Sequence, residues 1–159
     1  MKNVTKQIII HSAFGVYILL MLWLMFGQRL YHELSSPNSV WMQNYWSEFR
    51  EKLNIVPFET IALYTRSLFG GVNRAAVVNL AGNVVMFVPL GLLLPHIAKK
   101  AEKFIGCFVI SLVCILSAEI VQVFTLLGYF DVDDLLLNMI GVSIGYGLQK
   151  LILKGKVKC

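Results

Sequence analysis

The stretch that decides the fold runs from Ala76 to Ile97 and reads AVVNLAGNVVMFVPLGLLLPHI. It holds no Asp, Glu, Lys or Arg, and it is long enough as a helix to cross a hydrocarbon layer about 30 Å thick. Three more windows of this kind follow on working outward along the chain: Gln7 to Gly27, Phe104 to Leu127 and Asp134 to Leu153. In lipid every backbone N–H and C=O must be paired within the chain, so each window is expected to be a helix. The expectation is an all-α integral membrane protein. It is one domain over residues 1–159 with four transmembrane helices and a long loop from 28 to 75.

Composition agrees. Of the 159 residues 57% are hydrophobic and 14% charged, against about a quarter charged in soluble domains. Mean hydropathy is +0.70. The formal charge of +5 does not point to nucleic acid, because no basic stripe interleaves with aromatics on a soluble surface. Cys107, Cys114 and Cys159 show no metal-binding spacing, and neither a metal nor a cofactor is expected from them. The first window is longer than a signal-peptide core and runs into Gln28-Arg29-Leu30 with no small-residue cleavage site, so it is expected to be retained.

Basic residues set the orientation. Lys2 and Lys6 precede the first window. Lys99, Lys100 and Lys103 fill the second connection, and Lys150, Lys154, Lys156 and Lys158 close the chain. Arg29, Arg50, Lys52, Arg66 and Arg74 lie in the long first loop, and the third connection has none. Short basic connections stay inside, so both termini are expected in the cytoplasm and the loop outside. Within the loop, Ser36-Pro37 looks like a helix start. Trp41, Tyr45, Phe49 and Leu53 recur every four residues, with Glu48, Arg50, Glu51 and Lys52 largely off that face. The pattern predicts an amphipathic interfacial helix, ending near Pro57.

The spans carry few polar residues, and these come in pairs at helical spacing: Asn79 with Asn83, Glu119 with Gln122, and Asp134 with Asn138. At about 1.5 Å per residue, Asn83 and Glu119 lie roughly 5 Å outside their span midpoints, and Asn79, Gln122 and Asn138 roughly 8–11 Å outside. Asp131, Asp133 and Asp134 stand just above. His11 is the main polar residue of the inner halves. Intramembrane polar residues are costly and commonly functional. Their shared depth predicts an outward-facing pocket centred on Glu119, with Arg66 and Arg74 as candidate charge partners. The plainer alternative is helix-to-helix glue. Gly141-x-x-x-Gly145 suits close helix packing, and Pro89 and Pro95 predict a kink or irregular stretch in the second span. Three aspartates in a short loop are more often solvated than metal-binding, and no named catalytic signature is present.

Several blocks resemble the VanZ-like family: Asn54-Ile-Val-Pro57-Phe58; Asn79-Leu-Ala-Gly82-Asn83 with Phe87, Pro89, Gly91 and Pro95; Ser117-Ala-Glu119-Ile-Val-Gln122; and Asp131-Val-Asp133-Asp134 with Asn138, Gly141 and Gly145. In that family a basic residue often precedes the acidic stretch. Here Gly128-Tyr129-Phe130 stands there, so charge partners for the aspartates must come from elsewhere. The resemblance implies a bacterial plasma-membrane protein linked to reduced susceptibility to teicoplanin-type glycopeptide antibiotics, with membrane lipids as its surroundings. Three activities fit the residues: binding of a lipid-linked cell-wall intermediate or a lipoglycopeptide in the pocket; intramembrane acid–base catalysis by Glu119; or docking of a partner as a small adaptor. The near absence of polar residues from the inner halves argues against a transporter.

Overall fold

The computed structural model describes residues 2–35, 45–69 and 74–157. Helix α1 (Lys2–Leu22) passes through a π turn (Trp23–Gly27) into α2 (Gln28–Ser35). Then come α3 (Tyr45–Glu51), the two-residue strand β1 (Leu53–Asn54), α4 (Glu59–Phe69) and α5 (Arg74–Ile97). A 3-10 turn (Lys99–Glu102) leads to α6 (Phe104–Phe124), followed by β2 (Phe130–Asp131) and α7 (Val132–Val157). Four helical stretches are long and apolar enough to span a membrane: Val4–Gly27, Val77–Ile97, Phe104–Phe124 and Val132–Lys154. Large apolar side chains such as Ile8, Leu19, Val78, Ile105 and Val113 lie exposed along them. Lipid is the solvent that tolerates such a surface.

The tightest packing is between α5 and α7, and its cause is glycine. A Cβ at Gly145 would stand 2.0 Å from the Val88 carbonyl oxygen, and one at Gly141 would stand 2.1 Å from that of Val84. The two backbones touch where a side chain would hold them apart. Phe87, Leu90, Leu94, Met139 and Val142 form the core around this seam, joined by Cys107 and Ile115 from α6.

Several features differ from the sequence expectation. The third span stops at Phe124 rather than Leu127, because Leu126 takes a left-handed conformation (φ 56°) and its N–H turns back to the Val123 carbonyl at 3.1 Å, as in a helix C-terminal cap. The fourth helix starts at Val132, because Asp131 Oδ1 accepts the Asp133 N–H at 2.8 Å and so serves as its N-cap. Helix α5 runs through Pro89 and Pro95 without interruption. The irregular turn lies instead at the end of the first span, in Trp23–Gly27.

The loop between the first two spans is folded onto the bundle. The expected helix start at Ser36-Pro37 and its Trp41 lie outside the described residues. Helix α3 carries Tyr45 and Phe49 on its inner side. The Tyr45 hydroxyl donates to the Phe124 carbonyl at 2.8 Å, and Phe49 meets the Phe124 ring at 5.2 Å. Leu53, expected on the same helix, belongs to β1, which pairs in parallel with β2 as Leu53–Phe130 and Asn54–Asp131. Helix α4 was not legible in the sequence pattern. Its N-terminus is closed from a distance: Asp133 Oδ1 accepts the Phe58 N–H at 2.6 Å and Oδ2 accepts the Ile61 N–H at 3.0 Å. One buried carboxylate thus takes both bonds that a local capping box would supply. The aspartates expected to be solvated are therefore structural, with Asp133 fully buried and Asp131 nearly so.

Candidate functional site

A polar cavity lies at the end of the bundle where α1 and α6 finish and α5 and α7 begin. Its volume is 510 Å³. Asn79 and Asn83 reach it from α5, Glu119 and Gln122 from α6, and Asp131, Asp134 and Asn138 from β2 and α7. These seven polar residues, spaced three or four apart on their helices or placed at a helix start, line one space. The folded loop supplies the rest of the polar wall: Glu51, Lys52, Asn54, Thr60 and Tyr64. Leu24 and Met25 of the π turn, with Met86 and Phe87, give the apolar part.

The wall is held by hydrogen bonds between elements distant in sequence. Asn83 Nδ2 donates to Asp134 Oδ1, tying α5 to α7. Asn79 Nδ2 donates to the Tyr64 hydroxyl at 2.7 Å, tying α5 to α4. Gln122 Nε2 donates to the Met25 carbonyl at 2.8 Å. A π turn shifts the backbone ladder by one residue, which frees a carbonyl at its edge for such an outside donor. Asp131 Oδ2 accepts from Thr60 Oγ1 at 2.6 Å and from Asn54 Nδ2 at 3.3 Å.

The partners described for Asp131 and Asp133 are an amide, a hydroxyl and backbone N–H groups. Arg66 is exposed in the last turn of α4 and does not line the cavity. Arg74 begins α5, and its side chain lies outside the described residues. Among the described residues the lining cation is Lys52. Its Nζ donates to the Leu126 carbonyl and stands 5.8 Å from the Tyr129 ring, and its carbonyl accepts the Phe130 N–H at 2.8 Å. Spacing alone puts Lys52 and Glu51 largely off the apolar face of an amphipathic helix. The break at β1 turns them inward, and periodicity carries no signal for such a break.

Two groups matter chemically. Glu119 is buried, at 5% exposure, and lines the cavity. Asn138 is 2% exposed, and its Oδ1 has no hydrogen-bond partner among the described residues. An unpaired buried acceptor costs about 1–3 kcal/mol, so this amide stands ready for an N–H or O–H from whatever enters. Among the described residues no three His, Cys, Asp or Glu side chains converge as a metal site would require. The chemistry on offer is hydrogen bonding with alternating donors and acceptors, beside the buried carboxylates of Glu119 and Asp131.

The family model for VanZ/LLP1 matches residues 14–153, nearly the whole chain and every residue of the cavity wall. The chain belongs to the VanZ/LLP1 family. Among curated proteins it is similar to "Protein VanZ" of Enterococcus faecium, with 27% identity over 146 residues, covering 90% of this chain and 76% of that one. No solved structure matches. Four spans and membership in this family point to a bacterial membrane protein.

Proposed function

We propose that this VanZ-family protein lowers susceptibility to teicoplanin-type glycopeptides by binding the polar part of an amphipathic ligand in the cavity, from the outer leaflet of the plasma membrane. The supporting observation is that polar side chains of three spans and of the folded loop line one 510 Å³ space. Glue between two helices needs one pair of amides. Here several polar groups are turned toward a common void, one of them with an unsatisfied acceptor. The outward direction follows from the lysines at the opposite end of the bundle. A ligand with an acyl tail suits a cavity built among lipid-facing helices, since each buried CH₂ contributes about 0.8 kcal/mol. The ligand class is a lipoglycopeptide or a lipid-linked cell-wall intermediate.

The test is binding of lipidated and de-lipidated glycopeptides to the purified protein. Preference for the lipidated form, weakened by Asn138→Leu, is the expected result. Equal binding, or none by either, refutes the antibiotic-ligand form of the reading. A second reading has its own observation, the buried carboxylate of Glu119 at the cavity wall: it makes Glu119 a general acid or base toward a lipid-linked envelope substrate. Glu119→Gln separates the two. Binding alone predicts resistance retained in that variant, because shape and most hydrogen bonds survive. Catalysis predicts resistance lost while ligand affinity is kept.

A further inference from the structure

The opposite end of the bundle carries two adjoining grooves that the cavity does not use. One, of 270 Å³, is lined by Lys6, Gln7, Ile10, His11 and His96. The other, of 190 Å³, is walled by Leu92, Leu93, Ile152 and Leu153. The two share Lys6, Ile10 and His96, so a basic groove opens directly into an apolar one between α1, α5 and α7. Among the described residues no carboxylate lines either groove.

Helix rise sets the order in depth. Ile10 lies one turn below Lys6 on α1, and Leu92 and Leu93 lie about a turn below His96 on α5, roughly 5–6 Å toward the membrane centre in each case. Lys6 and His96 therefore stand at the rim, with Ile10, Leu92 and Leu93 beneath. Gln149 lies at that lower level, about a turn deeper on α7 than Ile152 and Leu153. It is buried at 4% exposure, it lines the apolar groove, and its Oε1 has no partner among the described residues. A terminal amide can present either end by rotation, so Gln149 offers an N–H to an ester carbonyl or an acceptor to a hydroxyl. His11 Nδ1 donates to the Gln7 carbonyl at 2.8 Å, so in the neutral ring Nε2 is an acceptor, suited to a head-group hydroxyl rather than to a phosphate oxygen.

We propose that these joined grooves bind one anionic phospholipid, with the phosphodiester at Lys6 and His96, a head-group hydroxyl at His11, the glycerol ester region at Gln149 and an acyl chain along Ile10, Leu92 and Leu93. Charge complementarity selects an anionic over a zwitterionic head group, and the apolar groove selects a lipid over a free phosphate. The site is separate from the Glu119 cavity and does not depend on what fills it. Its role would be to fix the first span against the α5–α7 pair, because the lipid touches all three helices.

The test uses the full chain in mild detergent, titrated with dioleoylphosphatidylglycerol, dioleoylphosphatidylcholine or glycerol phosphate, with bound lipid counted by native mass spectrometry. The expected result is one phosphatidylglycerol retained per chain, in preference to phosphatidylcholine, and no retention of glycerol phosphate. Each cation near a lipid surface contributes about fivefold, so Lys6→Ala should lower retention about fivefold, and Lys6→Ala with His96→Ala should bring it to the phosphatidylcholine level. Lys6 is exposed, so its replacement leaves the packing intact. Gln149→Leu should weaken both lipids alike. Lys99→Ala and Lys103→Ala, at exposed cations of the same end outside the grooves, should change nothing. Equal retention of the two lipids, or loss in the Lys99 and Lys103 variants as large as in Lys6→Ala, overturns the proposal, as does retention of glycerol phosphate at the phosphatidylglycerol level.

Discussion

Replacing Asp133 by Asn should loosen the folded loop without disturbing the spans. Asp133 is fully buried, and its two oxygens accept the Phe58 and Ile61 N–H groups at 2.6 and 3.0 Å. Hydrogen bonds to a charged acceptor contribute about 1.5–3 kcal/mol each, and a carboxylate at a helix N-terminus adds about 0.3–1 kcal/mol. Asn has the same shape but one oxygen. It keeps one bond and aims an NH₂ group at the other N–H, donor against donor. The expected loss is about 2–4 kcal/mol, confined to the first turn of α4. Hydrogen exchange on the purified protein reads this directly: protection at Ile61 and Ala62 should fall about 30- to 1,000-fold, while amides in the middle of α7 hold theirs. Unchanged exchange at Ile61 would refute the view that Asp133 caps α4. A uniform fall across α7 would show that it serves the bundle instead. Since α4 supplies Thr60 and Tyr64 to the cavity wall, the same variant should also reduce any resistance that depends on that wall.

The helix seam and the strained turn give two further tests. Gly145→Ala should cost about 1–3 kcal/mol, read as a lower unfolding temperature in detergent, since its Cβ would meet the Val88 carbonyl oxygen. Gly82→Ala, where nothing lies within 4 Å, should instead raise that temperature, because the helix gains about 0.5–1 kcal/mol. Phe58 holds φ 66° and is 64% exposed, so Phe58→Asn, which tolerates that region at lower cost, should stabilise by about 0.5–1 kcal/mol in the same melt.

Much of the bundle is legible in the chain because hydropathy, length and backbone pairing act locally. A run such as Ala76–Ile97 leaves the backbone no other way to satisfy itself in lipid. The pairing of Asn79 with Asn83 and of Glu119 with Gln122 is local too, because spacing places each pair on one helix face. Depth follows from counting residues. The role of Gly141 and Gly145 is legible for the same reason, since small residues four apart make a groove whichever helix fills it.

The loop is where such reasoning stops. Lys52 and Glu51 look like the polar side of a helix, and Asp133 looks like one of three solvated acids. Their roles depend on groups more than 70 residues away: Lys52 bonds the Leu126 carbonyl, and Asp133 caps a helix whose first residue is Glu59. No local period records such a bond. Arg66, one of the two arginines named as candidate charge partners, lies outside the cavity lining, because sharing a side of the membrane does not by itself bring two side chains together.

By itself, then, the sequence determined that four helices cross the membrane and at what depth their polar faces lie, because the bilayer imposes its constraint on every residue separately. Only the tertiary structure decided that those faces line one cavity, that a two-residue strand turns Lys52 into it, and that Asp133 holds the loop across it. Each of these rests on hydrogen bonds between segments far apart in the chain, whose geometry exists only once α5, α6 and α7 have packed.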